Sequence, residues 1–176
     1  PSYRGHLMTA AGVRAWIGVN TRDRNRVALE GELAALRHAG VAGVHCVTGD
    51  HTDTGDRPDA APVFDLESTT LLPRAREAGL VASFAESPCA PPRESRGVRV
   101  AYKQRAGGRM CLTQYCGGVE DVAAFVEACR RAGAIVPVLP GVPAIVDEDG
   151  AALLASFHAA SLPPGYAERL RGARDM

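Results

Sequence analysis

Apolar residues in this chain gather into short, nearly unbroken runs separated by longer stretches of helical period. The runs are 13–19, then VAGVHCVTG over 41–49, LVASFAE over 80–86, RMCLTQY over 109–115 and AIVPVLPG over 134–141. They are rich in Val, Leu and Ile and alternate only weakly, as strands buried on both faces of a parallel sheet do. The last four each follow the same stop, at Ala39-Gly40, Ala78-Gly79, Ala106-Gly107 and Ala132-Gly133. Glycine just past a helix takes the left-handed conformation without a Cβ penalty and ends the helix.

The intervening stretches predict helices over 24–38, 66–78, 94–106, 119–132 and 150–160, with a short one over 166–171. Val27 and Leu29 are followed by Leu33 and Leu36 at four- and three-residue spacings. Asp23 and Asp65 stand where N-caps are expected. Pro73, inside the second helix, is expected to kink or split it. Repeated strand-helix alternation means an α/β fold with right-handed crossovers. Two architectures accommodate five such units, an open doubly wound sheet or a segment of an eight-stranded βα barrel. Residues 1–176 are read as one α/β domain.

Composition narrows the function. Lys plus Arg and Asp plus Glu are 20 each, and aromatics make up 5%. With no basic stripe beyond the mixed run Arg22 to Arg26 and few rings to stack on, nucleic acid is not an expected partner. No apolar run is long enough to span a bilayer and no secretory leader opens the chain, so a cytoplasmic protein is expected. The first residue is Pro, so the chain is expected to begin partway through a longer protein. The five cysteines form no CxxC pair, and the histidines lack metal-ligand spacing, so neither a disulfide framework nor a metal site is expected. Cys46 and Cys111 read as buried small hydrophobes, whereas Cys89 and Cys116 fall in loops near strand ends.

The chemistry sits just past the strands. Asn20 to Asp23 follow the first, Thr48, Gly49, Asp50 and His51 the second, Glu86 and Ser87 the third, Thr113, Gln114 and Tyr115 the fourth. Pro140 and Gly141 follow the fifth. Singly, Asp23 reads as a helix cap and Asp50 as a turn residue. Parallel strands bring their ends to one rim, where an Asp, Asp, Glu and Gln set reads as a ligand site. The polar loop HTDTGDRPDAAP after Asp50 has the length of a binding loop. Lys103, alone in a helix, reads as a surface charge. GxGxxG, GxxxxGK[ST] and GxSxG are all absent, which leaves dinucleotide Rossmann, P-loop and hydrolase-elbow readings without support.

From about residue 16 to 145 the ordered set resembles the methylenetetrahydrofolate reductase family, a flavin-dependent βα barrel. The family's strand ending in Asp resembles the segment from Val19 to Asp23, and its Arg-Gly-Asp strand end resembles Thr48-Gly49-Asp50. Phe64-Asp65-Leu66 is similar to its acidic-hydrophobic helix entry, and Phe84-Ala85-Glu86 to its Tyr-Pro-Glu strand end. The Lys-x-x-Ala-Gly-Ala helix end and Ile-Thr-Gln strand resemble Lys103 through Gln114, with the same spacing from Lys to Gln. Pro140-Gly141-Val142-Pro143 is similar to a Pro-Gly-Ile-x-Pro loop.

The resemblance implies a TIM-barrel-like (β/α) segment of about five parallel units, an incomplete barrel matching family strands three to seven. It implies FAD, with Asp23 near the pyrimidine edge of the flavin, Gly49, Asp50, His51 and Glu86 at strand ends near the cofactor, and Lys103 near its phosphates. Gln114, with Thr113 and Tyr115 beside it, is implied to meet the folate or nicotinamide partner. The implied reaction passes hydride from NAD(P)H through FAD to a folate-type one-carbon substrate. No segment resembles the family's first strand, whose Glu is implied as proton donor, so no catalytic residue is assigned. A non-catalytic α/β binding or interaction module is the alternative. The open edges of a five-stranded arc imply a homo-oligomer or a covering partner.

Overall fold

A computed structural model of the protein describes residues 1–54, 57–143, 145–156, 162, 163, 165, 166, 168 and 169. The elements in chain order are α1 (Ser2–Ala10), β1 (Trp16–Asn20), α2 (Arg26–His38), β2 (Gly43–Val47), α3 (Ser68–Glu77), β3 (Ala82–Glu86), α4 (Arg96–Arg105), β4 (Met110–Tyr115), α5 (Val119–Arg131), β5 (Val138–Gly141) and α6 (Glu148–Ala155), with 3₁₀ turns at Thr52–Thr54 and Arg93–Ser95. The strands are parallel and follow the order β1-β2-β3-β4-β5. A doubly wound sheet reverses its strand order at a switch point. This order has no reversal, so the fold is α/β of the TIM-barrel-like kind, as expected.

The chain divides into two compact units, residues 1–85 with 102–110, and residues 86–101 with 111–176. In the first, β1 pairs with β2 and β2 with β3, with Gly18 opposite His45 and His45 opposite Ser83. Alternation puts Ile17, Val19, Val44 and Cys46 on one sheet face, and all are buried. They meet Leu29, Leu33 and Leu36 of α2 and Leu71, Leu72 and Ala75 of α3, also buried. Gly5 of α1 closes over this layer. A Cβ there would lie 2.9 Å from Val41 and 3.5 Å from Ile17. The opposite face carries Trp16, Gly18, Asn20, His45, Val47 and Ser83. In the second unit, β4 pairs with β5 across a register shift between Leu112 and Tyr115. Val100, Cys111, Phe125, Cys129 and Ala134 form its buried core.

Three local expectations need correction. Asp23 does not cap α2; Asn25 does, its side chain accepting from the Ala28 amide at 3.0 Å. Asp65 does not cap α3 either. It accepts from the Arg26 amide at 2.7 Å, while at the start of α3 Thr70 Oγ1 accepts from the Glu67 amide at 2.9 Å. Pro73 leaves α3 unsplit. Its missing N–H removes a single turn's bond, and Leu71, Leu72 and Ala75 hold the helix down by burial. Part of the 150–160 and 166–171 helical expectation falls outside the described residues.

Candidate functional site

In the first unit the ends of β1 and β2 are laced together. Thr21 donates its amide to Val47 O at 3.2 Å and its hydroxyl to Thr48 O at 3.3 Å. Arg22 Nη1 reaches the Asp50 carbonyl at 3.4 Å. Gly49 has φ +89°, and a Cβ on it would lie 3.3 Å from Arg22 Cβ. The close approach and the left-handed backbone both call for glycine there. Thr48 Oγ1 in turn accepts from the first amide of α3, that of Ser68, at 3.1 Å.

The structure therefore brings Asp23, Gly49 and Asp50 to one end of the first unit's sheet, and it treats the two carboxylates differently. Asp23 accepts from Arg22 Nε at 2.6 Å and Nη2 at 3.2 Å, and from Asn20 Nδ2 at 3.3 Å. The Arg22 guanidinium holds its carboxyl below the usual carboxylate range. Asp50 is exposed, and among the described residues its carboxylate accepts no hydrogen bond. His51 turns aside to Asp53, 3.0 Å away, with its ring 6.2 Å from that of Phe64. Among the described residues Asn20 Oδ1 is buried without a partner.

Lys103 is not a surface charge. It is 5% exposed, its Nζ donates to Ala85 O at 2.6 Å, and its ammonium lies 5.7 Å from the Phe84 ring centroid. Its charge thus sits at the C-terminal end of β3.

In the second unit Glu86 is 4% exposed. It accepts from Arg96 Nη1 at 2.9 Å, and Arg99 Nε lies at 3.5 Å. Arg96 also donates Nε to Ala90 O at 2.8 Å and Nη2 to Pro91 O, so one guanidinium fastens the loop after β3 to the strand's last carboxylate. Thr113 spans the β4–β5 irregularity, accepting from the Gly141 amide at 3.1 Å and donating to Gln114 O at 2.8 Å. Gln114 is exposed and Tyr115 half-buried. Burial pushes the Cys46 thiol up to about 12 and the Cys129 thiol up to about 11, so neither is a nucleophile at neutral pH.

The sequence reading missed Arg96 and Arg99. Their three-residue spacing in the first turn of α4 was the available sign of one helix face turned to the strand end. It also missed a polar cluster in the first unit. Trp16 Nε1 donates to Ser83 Oγ at 2.8 Å, and Ser83 Oγ lies 2.8 Å from His45 Nδ1. Burial, then the Lys103 charge, lowers the His45 pKa from its ordinary 6.5. The unfolded chain regains the ordinary value and takes the proton first. His45's contribution to stability is therefore whole above 6.5 and is lost as pH falls through the lower folded value. Thermal midpoints measured from pH 7.5 downward are expected to fall more steeply for the wild type than for His45→Gln. Parallel curves would remove His45 as the cause.

The methylenetetrahydrofolate reductase family model matches residues 5–176. The chain belongs to this family. No curated protein matches it at a significant level. Among solved structures, 2,3-dimethylmalate lyase, described as a PEP mutase/isocitrate lyase superfamily member, superposes with TM-score 0.59 at 15% identity over 99% of this chain and 62% of that one. Oxaloacetate acetylhydrolase gives TM-score 0.60 at 15% identity, over 98% and 61%. Phosphonopyruvate hydrolase gives 0.56 at 17%, over 99% and 64%. At such identities the likeness is one of fold. This methylenetetrahydrofolate reductase family chain spans about three fifths of the length of those structures. Among its described residues no helix is long and apolar enough to cross a membrane.

Proposed function

We propose that this chain is the flavin-carrying part of an oxidoreductase that passes hydride from NAD(P)H through FAD to a folate-type one-carbon substrate. Membership of the methylenetetrahydrofolate reductase family is the observation that carries the reading. The first unit's strand ends supply its chemistry. Gly49, at a left-handed position packed against Arg22 and Asn20, makes the turn that presents Asp50. The exposed Asp50 carboxylate is an acceptor for an imide N–H of a pyrimidine-like ring. Asp23, fixed by Arg22 and Asn20, has its charge offset by the Arg22 guanidinium, which leaves Asp50 as the net negative group of this strand end. His51 borders the same turn. Lys103 contributes a fixed positive charge at the end of β3. In the second unit the exposed Gln114 amide, steadied by the Thr113 bridge to Gly141 and flanked by Tyr115, is the group offered to folate or nicotinamide. Glu86 supports the loop after β3 through Arg96.

FAD, when bound, would supply two-electron hydride chemistry. The open Asp50 carboxylate disfavours added negative charge at the ring and so lowers its potential. Asp50→Asn is expected to raise the bound flavin's midpoint potential by about 30 mV, the two-electron equivalent of about 1.4 kcal/mol. Lys103→Met, which keeps the buried stem, is expected to weaken FAD binding several-fold. Purified protein saturated with FAD and then desalted should retain absorbance in the flavin band. Protein that keeps none sinks the proposal. Bound flavin without turnover of a folate substrate by NAD(P)H would instead favour the binding-module reading.

A further inference from the structure

The sheet face of the first unit that points away from α2 and α3 carries a polar cluster of Trp16, Ser83 and His45. An indole N–H can only donate, so Trp16 Nε1 gives its proton to Ser83 Oγ. The serine hydrogen then has two acceptors within reach, His45 Nδ1 at 2.8 Å and Val44 O at 3.4 Å. The shorter contact takes it. On that assignment Nδ1 accepts and the ring carries its proton on Nε2, whereas a hydroxyl donating to Val44 O would leave an Nδ1–H donating to Ser83. The Lys103 ammonium and the burial of the ring act in the same direction by disfavouring imidazolium.

Among the described residues His45 Nε2 has no partner, and the ring is half-buried. Its in-register neighbour on β1 is Gly18. A Cβ built on Gly18 would find no atom of the described residues within 4 Å, so among them the space beside the imidazole is open. The other neighbour on that side is closed. A Cβ on Gly43 would lie 2.6 Å from the Trp16 ring, so the indole lies flat across Gly43 and reaches Ser83. The result is a flat apolar surface, an open strip over Gly18, and a neutral N–H donor at its border.

We propose that His45 is a ligand-binding residue of this chain. Its Nε2–H is a preset hydrogen-bond donor to a carbonyl oxygen or ring nitrogen of a planar heterocycle lying over Gly18. This rests on the flavin reading above, which names the isoalloxazine as that heterocycle. Ser83 and Trp16 are positioning residues that act through the His45 tautomer. A neutral donor suits an uncharged carbonyl, whereas an imidazolium would favour anionic ligands instead.

The test uses FAD as probe, with the free-protein tautomer measured separately. Long-range ¹H–¹⁵N imidazole spectra should show His45 protonated on Nε2, and Ser83→Ala should shift it toward a tautomer mixture. In FAD titrations His45→Leu is expected to weaken binding about ten-fold, the ratio equivalent to one lost hydrogen bond. Ser83→Ala should weaken it about three-fold. His45→Gln, whose amide reaches the Nε2 position, should stay within about three-fold of wild type. Far-UV dichroism checks that each variant is folded. If His45→Leu fails to fold, Ser83→Ala and His45→Gln carry the test. An Nδ1-protonated ring overturns the proposal. So does wild-type affinity in folded His45→Leu, or in Ser83→Ala where the tautomer has shifted. A wild type that binds no FAD overturns the flavin reading and this inference together, while wild-type binding with an unaffected His45→Leu overturns this inference alone.

Discussion

Gly97→Ala is expected to lower stability by about 2 kcal/mol, and with it the thermal midpoint by about 4–8 °C. In the second unit, a Cβ on Gly97 would lie 2.5 Å from Ala128 O, 2.6 Å from Ala128 C and 3.0 Å from Cys129 N. All three are backbone atoms of α5, so no rotamer change can relieve the contact, and the helix itself must move. Cys129 is fully buried beneath it, as is Val100 one turn along α4. Alanine's better helix propensity opposes the loss by at most about 1 kcal/mol. Gly31→Ala in α2 isolates that gain, because a Cβ there meets nothing within 4 Å. It is expected to stabilise by about 0.5–1 kcal/mol. The two substitutions share their chemistry and differ only in what the new methyl meets. Denaturant midpoints of opposite sign relative to wild type are the expected result, and equal midpoints would mean that α4 and α5 are not in backbone contact.

Glycine punctuation was the most legible part of the fold. Gly40, Gly79, Gly107 and Gly133, read as helix stops, have φ of +72°, +75°, +119° and +84°. A stop of this kind is a property of one residue's backbone, so the sequence states it directly. Helix α1 was not legible. Its sequence, SYRGHLMTA, has no clear apolar stripe, and the helix depends on tertiary contacts, among them the close approach of Gly5 to Leu36 and a bond from Thr9 Oγ1 to Ala39 O at 2.8 Å. Caps were half legible. The residue types around 23–25 announced a helix start, but both Asp23 and Asn25 are cap-forming types, and Arg22 takes Asp23 away from the helix. At the candidate site, the strand-end residues could be named from parallel topology alone. Which of them are free to meet a ligand depends on side-chain pairing, local for Asp23 and more distant for Glu86. Asp50 keeps its carboxylate open while Asp23 and Glu86 do not, and the guanidinium that engages Glu86 lies ten positions further along the chain.

Glu86→Ala is expected to cost about 3–5 kcal/mol, the range for removing one partner of a buried ion pair. The Glu86 side chain is 2% exposed and that of Arg96 13%. Deleting the carboxylate leaves a guanidinium nearly shut away from water. That guanidinium also carries the Ala90 and Pro91 carbonyls, so the loop after β3 loosens with it. Arg99, more than half exposed at 3.5 Å, is too solvated to take over. A cycle of Glu86→Gln, Arg96→Met and the double variant separates the pair from its surroundings. The expected coupling is about 2–3 kcal/mol, with the double variant less damaged than the two single losses summed. Additivity within about 0.5 kcal/mol would mean that the pair does not act as a unit. The same variants separate structural support from ligand contact. If Glu86 acts through Arg96, Glu86→Gln and Arg96→Met should weaken FAD binding in proportion to one another. If instead the carboxylate touches the cofactor, Glu86→Gln alone should change the bound flavin's absorbance spectrum while Arg96→Met leaves that spectrum as it was.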